Sequence, residues 1–298
     1  MQTVARSLRY RDWVWQGWQT RYTFQRAEVL TPHTVPILLI HGFGASGDHW
    51  RNNMPALAQH HSVYALDLVG FGASEKPPTD YSIYLWVEQV ADFWQTFINR
   101  PTILVGNSIG SLVATIAAHT HPEIAKGVVT ISLPDIEALQ AMVPKPVRPI
   151  KSALEAFVSA IFAKPIFQLI RQPSVIRFVL GQIAYRDRTH IDDELVEIIA
   201  KPARDPQAAE AFVRLGQSLN RPGYSPSLTQ ALTELEIPIL MLWGTQDKAI
   251  PPTEGARLVQ YSNFAHLVYL DGMGHCAHDE APERVNQEIL TWIAAIAS

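Results

Sequence analysis

Three residues far apart in the chain have the types and local settings that acyl-transfer chemistry needs. Ser108 lies in Gly106-Asn107-Ser108-Ile109-Gly110, between the apolar run Thr102-Ile103-Leu104-Val105 and the small-residue helical stretch Ser111 to Ala118. A serine on a sharp strand-to-helix turn has a strained backbone, tolerable only when the residues two positions away are small; here both are glycine. The turn lifts the hydroxyl clear of the sheet. The helix starting there aims its unpaired amides and positive dipole end at charge developing on a bound carbonyl. A serine also needs a base to take its proton, and the base needs a carboxylate to hold its tautomer and steady its positive charge. Asp247 in Gly244-Thr245-Gln246-Asp247 and His275 in Asp271-Gly272-Met273-Gly274-His275 supply these groups, each just after an apolar run. The order serine, aspartate, histidine is the one this nucleophile motif carries.

Each assignment has a competitor. Asp247 has the character of an ordinary loop or N-cap aspartate ahead of a helix near Pro252 to Tyr261, and Asp135, closing the run Val128 to Ile131, is the alternative acid. His41, His49, His119, His121, His266 and His278 are further imidazoles, but only His275 sits in a glycine-flanked loop after the last apolar run. Cys276 lies on no such turn and reads as a small packed residue. An oxyanion needs two amides: Ile109 follows the nucleophile, and Phe43 in His41-Gly42-Phe43-Gly44 is the expected partner. Gly42 and Gly44 would permit a tight turn there in either case.

These groups converge only if the elements carrying them form one parallel sheet. Short continuous apolar runs, of the kind buried parallel strands show, occur at Pro36 to Ile40, Val63 to Leu68, Thr102 to Val105, Val128 to Ile131, Pro238 to Trp243 and His266 to Leu270. Helical segments alternate with several of them, as in Ile83 to Ile98 with its apolar stripe at 83, 86, 87, 90, 93, 94 and 97. Leu8 to Trp15 and Trp18 to Gln25, split by Gln16-Gly17, suit an antiparallel edge hairpin. The site residues then hang from carboxyl ends of strands, where open α/β sheets place ligands.

The alternation breaks once, between Ser132 and Glu236, an interval far too long for a simple crossover. Its prolines and its apolar stretches Ala153 to Ala163 and Ile166 to Ala184 predict a helical cap. The expected organisation is a core over residues 1–134, a cap over 135–232 and the rest of the core over 233–298.

With 298 residues, net charge −4 and no long basic run, the chain offers no nucleic-acid surface. A single cysteine excludes an internal disulfide, and no Cys/His spacing suggests a metal. No cofactor is called for by the chemistry above. The N-terminus lacks an apolar h-region and no stretch of about 18 apolar residues occurs, so the chain reads as cytoplasmic.

Together the motifs resemble the α/β-hydrolase superfamily: His41-Gly42-Phe43-Gly44, Asp67-Leu68-Val69-Gly70-Phe71-Gly72-Ala73-Ser74, Val105 to Gly110, and Gly244-Thr245-Gln246-Asp247 followed by Pro251. That likeness covers almost everything outside the cap and implies a mostly parallel eight-stranded sheet flanked by helices. Cap-bearing dehalogenases and epoxide hydrolases look similar but carry an aspartate where Ser108 stands. A narrower likeness, from Val105-Gly106-Asn107-Ser108 with Gly274-His275-Cys276-Ala277-His278-Asp279-Glu280-Ala281-Pro282, is to the pheophytinase and chlorophyll dephytylase group. It implies hydrolysis of the ester joining phytol to a chlorophyll-type ring, without a cofactor, in plants or cyanobacteria. Ser111 stands where a second glycine is usual, and Ala277 where that group often has proline.

The cap segment 135–190 is rich in Phe, Ile and Leu, as a pocket for a bulky lipophilic ester would be. Its basic residues at 145, 148, 151, 164, 171, 177, 186 and 188 face acids at 135, 137, 155 and 187, a sign opposite to the whole chain. This predicts peripheral contact with an anionic membrane, thylakoid in a cyanobacterium, unless the cap simply packs on its own core. The same machinery would also serve carbon–carbon bond hydrolysis, acyl transfer, or a ligand-binding receptor with an idle triad.

Overall fold

The computed structural model describes residues 9–31, 34–141, 165–219, 221 and 223–297. Eight strands form one sheet: β1 (Arg9–Trp15), β2 (Trp18–Gln25), β3 (Ile37–Ile40), β4 (Val63–Leu66), β5 (Thr102–Asn107), β6 (Ala125–Ile131), β7 (Ile239–Gly244) and β8 (Ala265–Leu270). Their spatial order is β1-β2-β4-β3-β5-β6-β7-β8. β1 with β2 and β2 with β4 pair antiparallel, and every other pairing is parallel, so the expected mostly parallel sheet is what forms.

The reason is visible in the side chains. Leu38 and Ile40 of β3 enter one apolar layer while Ile37 and Leu39 enter the other, and β7 splits its residues in the same way. Both faces are buried, which is why the central strands read as unbroken apolar runs. At the opening hairpin, Gln16 and Gly17 both take positive φ (50° and 85°), the twist-matched two-residue turn that joins Trp15 to its partner Trp18. The hairpin is anchored through rings: Trp13 and Tyr22 pack edge-on against Phe93 at 5.8 and 5.1 Å. Phe93 belongs to the helix Ile83–Phe97, whose first turn is capped by Ser82 accepting from the Leu85 amide.

Two boundaries differ from expectation. β5 continues past Val105 through Gly106 and Asn107, because those residues are held in the ladder opposite Thr130 and Ile131. β6 begins at Ala125 rather than Val128 for the same reason: pairing with β5 extends it beyond its most apolar residues.

Between β6 and β7 the described residues are helical. The stretch expected over Ile166 to Ala184 is two pieces, 165–170 and Pro173–Ile183, because Pro173 opens a new helix and holds Gln172 extended at ψ 134°. The stretch Ala153 to Ala163 lies outside the described residues. Helices Asp193–Ala200, Ala208–Ser218 and Leu228–Glu234 follow. Ile176, Tyr185, Ile191, Leu195, Val196 and Ala200 form a small apolar cluster of their own with Cys276, whereas Leu228, Ala231 and Leu232 join the main core.

Candidate active site

Ser108 sits between β5 and the helix Ile109–Thr120 with φ 53° and ψ −123°, a region non-glycine residues avoid. The turn closes because Gly106 and Gly110 lack side chains. A Cβ on Gly106 would run into the Gly110 backbone, and one on Gly110 into the carbonyl oxygens of Ile40 and His41. The amides of Phe43 and Ile109 have no hydrogen-bond acceptor among the described residues, the condition an oxyanion site requires.

His275 and Asp247 meet as a pair. Nδ1 of His275 lies 2.9 Å from Oδ2 of Asp247, whose other oxygen accepts from the amides of Ala249 (2.8 Å) and Ile250 (2.9 Å). With a carboxylate as partner, Nδ1 carries the proton and Nε2 is left basic. Asp247 is buried and His275 nearly so, which removes competing water from the pair. Asp135 is engaged elsewhere, its carboxylate accepting from Nη2 of Arg257 (2.7 Å) and the Ala138 amide (2.9 Å).

Asn107 and Ser132 bring the histidine loop to the serine. Asn107 Nδ2 donates to the His275 carbonyl at 3.1 Å and Ser132 Oγ to the same oxygen at 3.3 Å. Asn107 is the residue before Ser108, so one side chain couples both loops. Sequence reasoning gave neither residue a role; a buried amide beside Ser108 was the available signal for Asn107, and nothing flagged Ser132. Ser111 fills a related post. Its Oγ donates to the Gly106 carbonyl (2.7 Å) and accepts from the Ile131 amide (3.0 Å), stitching the helix to β5 and β6 beneath the turn. A glycine there would lack this link.

The other histidines have structural partners or face solvent. His41 donates from Nδ1 to the Gly42 carbonyl (2.7 Å) and accepts at Nε2 from the Leu68 amide (3.1 Å), bracing the Phe43 loop against the loop after β4. His49 bonds Tyr185, His278 packs on Trp50, His119 pairs with Glu234, His121 lies beside Glu88, and His266 is exposed. Burial pushes the Cys276 thiol well up, which suits a packed residue and not a nucleophile. Asp67 accepts from the amides of Gly47 (2.6 Å) and Ala73 (2.7 Å), and Gly72 has no room for a Cβ against it.

These buried groups make stability pH-dependent. Burial holds His41 and His49 at about 4, below their ordinary 6.5, and shifts His278 the same way. Between those values the unfolded chain binds protons that the native state does not. This contribution is therefore complete above pH 6.5 and drains away towards pH 4. Burial raises Asp67 from 3.8 to about 6, which acts oppositely and restores some stability on acidification. His41 and His49 alone outweigh the single carboxylate and His278 acts in the same direction, so stability should fall by at least about 2 kcal/mol from pH 7 to pH 5. Denaturant midpoints at the two pH values measure this; an equal or higher midpoint at pH 5 would contradict it.

From the Phe43 loop a small apolar cleft opens, lined by Phe43, Phe71, Phe167, Ile199, Phe212 and Leu215 among others. One charged side chain is among its described lining residues. That is Lys76, whose ammonium is already taken by the carbonyls of Gly72 (2.9 Å) and Ser74 (3.1 Å) and by Asp205 (3.2 Å). Among the described residues no helix is long and apolar enough to cross a membrane.

A strained serine at a strand-to-helix turn, an Asp–His pair on neighbouring strand ends and this sheet order define a hydrolase of the α/β class. The chain belongs to the alpha/beta hydrolase family, whose profile matches residues 37–288. It is 27% identical to the chloroplastic pheophytinase of Arabidopsis thaliana over 88% of its length, and spans 62% of that longer relative. It is 25% identical to 2-hydroxy-6-oxo-6-(2'-aminophenyl)hexa-2,4-dienoic acid hydrolase of Metapseudomonas resinovorans, over 87% of this chain and 84% of that one. Among solved structures it resembles a serine hydrolase involved in carbazole degradation, with TM-score 0.78, 20% identity and coverage of 97% and 100% of the two chains.

Proposed function

We propose that this hydrolase is a serine carboxylic-ester hydrolase for a bulky lipophilic ester, with the phytol ester of a chlorophyll-type ring as the leading substrate. The reading rests on the strained turn at Ser108, whose preceding residue Asn107 bonds the His275 carbonyl, and on a His275 whose Nδ1 is committed to Asp247. Ser108 attacks the ester carbonyl while Nε2 of His275 takes its proton, and Asp247 steadies the imidazolium. The amides of Phe43 and Ile109 hold the oxyanion. His275 then protonates the departing alcohol, and a water activated by the same imidazole releases the acid from the acyl-enzyme.

The substrate class is supported by the aromatic cleft and by the likeness to pheophytinase. A second reading, carbon–carbon bond hydrolysis of a dienoic acid, is favoured by the 84% coverage of the M. resinovorans enzyme. Such an acid wants a cation in its pocket, and the one cation among the described lining residues is already engaged. Incubation with pheophytin a and chlorophyll a in detergent, followed by chromatography for phytol, tests the reading. Phytol release supports it. Hydrolysis of aryl esters without phytol release moves the search to other lipophilic esters, and hydrolysis of neither overturns it.

The proposal extends to a cap over 135–232 that touches an anionic membrane. Val175, Phe178, Val179 and Ile183 line one exposed or half-exposed side of the helix Pro173–Ile183, as an apolar docking stripe would. Failure to float with anionic vesicles would remove this part.

A further inference from the structure

We propose that Glu280 is a positioning residue for His275, and that the segment Ala184–Asp187 is part of the histidine's mount. The inference rests on the reading of Ser108 and His275 as nucleophile and base. Glu280 is buried and its carboxylate gathers three amides from two distant segments. Oε2 accepts from Gly274, the residue before His275, at 2.5 Å; Oε1 accepts from Arg186 at 2.5 Å and Asp187 at 2.9 Å.

The two segments also bond directly. The Ala184 carbonyl accepts from the amides of His275 (2.9 Å) and Cys276 (3.2 Å). Gly274 fits so closely that a Cβ there would lie 2.7 Å from the Ala184 oxygen and 2.9 Å from the Arg186 nitrogen. Beside Glu280, Asp279 accepts from the buried Tyr185 hydroxyl at 2.8 Å. Asp279 and Glu280 thus grip consecutive residues of the insertion while the chain between Gly274 and Glu280 carries His275.

A displacement of Ala184–Asp187 is therefore transmitted to the imidazole. Reacting groups misplaced by about 1 Å lose up to about a hundredfold in rate, so these bonds act on turnover through His275 without Glu280 touching substrate. Three charge-assisted bonds to amides that have no other acceptor among the described residues give the mount its stiffness.

The test separates positioning from bulk stability. Active sites are counted by labelling with a fluorophosphonate, and kcat per labelled site and KM are measured with p-nitrophenyl butyrate beside thermal unfolding. Glu280→Gln, which sets an NH2 group against one of the amide donors, is expected to lower kcat per site at least about tenfold with KM within about threefold. Tyr185→Phe keeps the ring and removes the hydroxyl's bond to Asp279 and its contacts with His49 and Cys276; a severalfold fall in kcat per site is expected. If Glu280→Gln does not fold, Tyr185→Phe decides alone. Wild-type kcat per site in the variants that fold, whatever their melting temperatures, would overturn the proposal. A wild-type chain that the probe does not label would overturn the nucleophile reading itself, and this inference with it.

Discussion

Replacing Ser108 with alanine is expected to lower ester turnover by at least about a thousandfold while leaving the unfolding transition where it was. The two halves of this expectation have different causes. Turnover collapses because the proposed attacking oxygen is gone; what survives is due to the amides of Phe43 and Ile109 and to binding. Stability is kept because alanine retains the Cβ, so the backbone at φ 53° is neither relieved nor further strained. Ser108→Gly is the informative companion. It is equally inactive but should be more stable by about 1 kcal/mol, since glycine adopts this conformation freely. Kinetics on an aryl ester and denaturant melts of the three proteins measure both quantities. Undiminished turnover in Ser108→Ala would end the account of Ser108 as nucleophile.

The largest effect on stability is expected from Gly110→Ala. Its Cβ would run into the backbone oxygens of Ile40 and His41, and backbone at the centre of a parallel sheet cannot swing aside as a flexible side chain would. A cost above about 4 kcal/mol follows, enough to remove most soluble protein. The same substitution at Gly216 is the control. That residue lies inside the helix Ala208–Ser218 with nothing within 4 Å of a Cβ, so Gly216→Ala should stabilise by about 0.5–1 kcal/mol. Comparison of soluble yield and denaturant midpoints decides the matter. A Gly110→Ala protein within about 1 kcal/mol of wild type would show that the turn has slack the geometry denies.

Activity and stability thus meet in one turn, and its neighbours show how far such a turn can be read in advance. Both glycines flanking Ser108 are small for the reason their spacing implies. The strand ends drifted where pairing overrode composition: Gly106 and Asn107 are poor strand formers kept in β5 by Thr130 and Ile131 across the ladder. Pro173 broke a helix that apolar periodicity alone had joined.

What the sequence by itself determined was local or periodic: eight strands and their order of appearance, the turn at Ser108, and Asp247 and His275 as the groups that follow later strands. Each depends on residues within a few positions of one another, whose backbone preferences and burial pattern are written consecutively. What only the tertiary structure decided was which distant groups meet. Asp135 and Asp247 are both strand-end carboxylates, and the sequence could not exclude either. In the fold, Arg257 occupies the first and His275 the second. Asn107, Ser132 and Glu280 acquire their partners in the same way, from loops up to 168 positions away. A hydrogen bond across such a separation is set by how the sheet stacks its strand ends in space, and no local preference of the two residues encodes it.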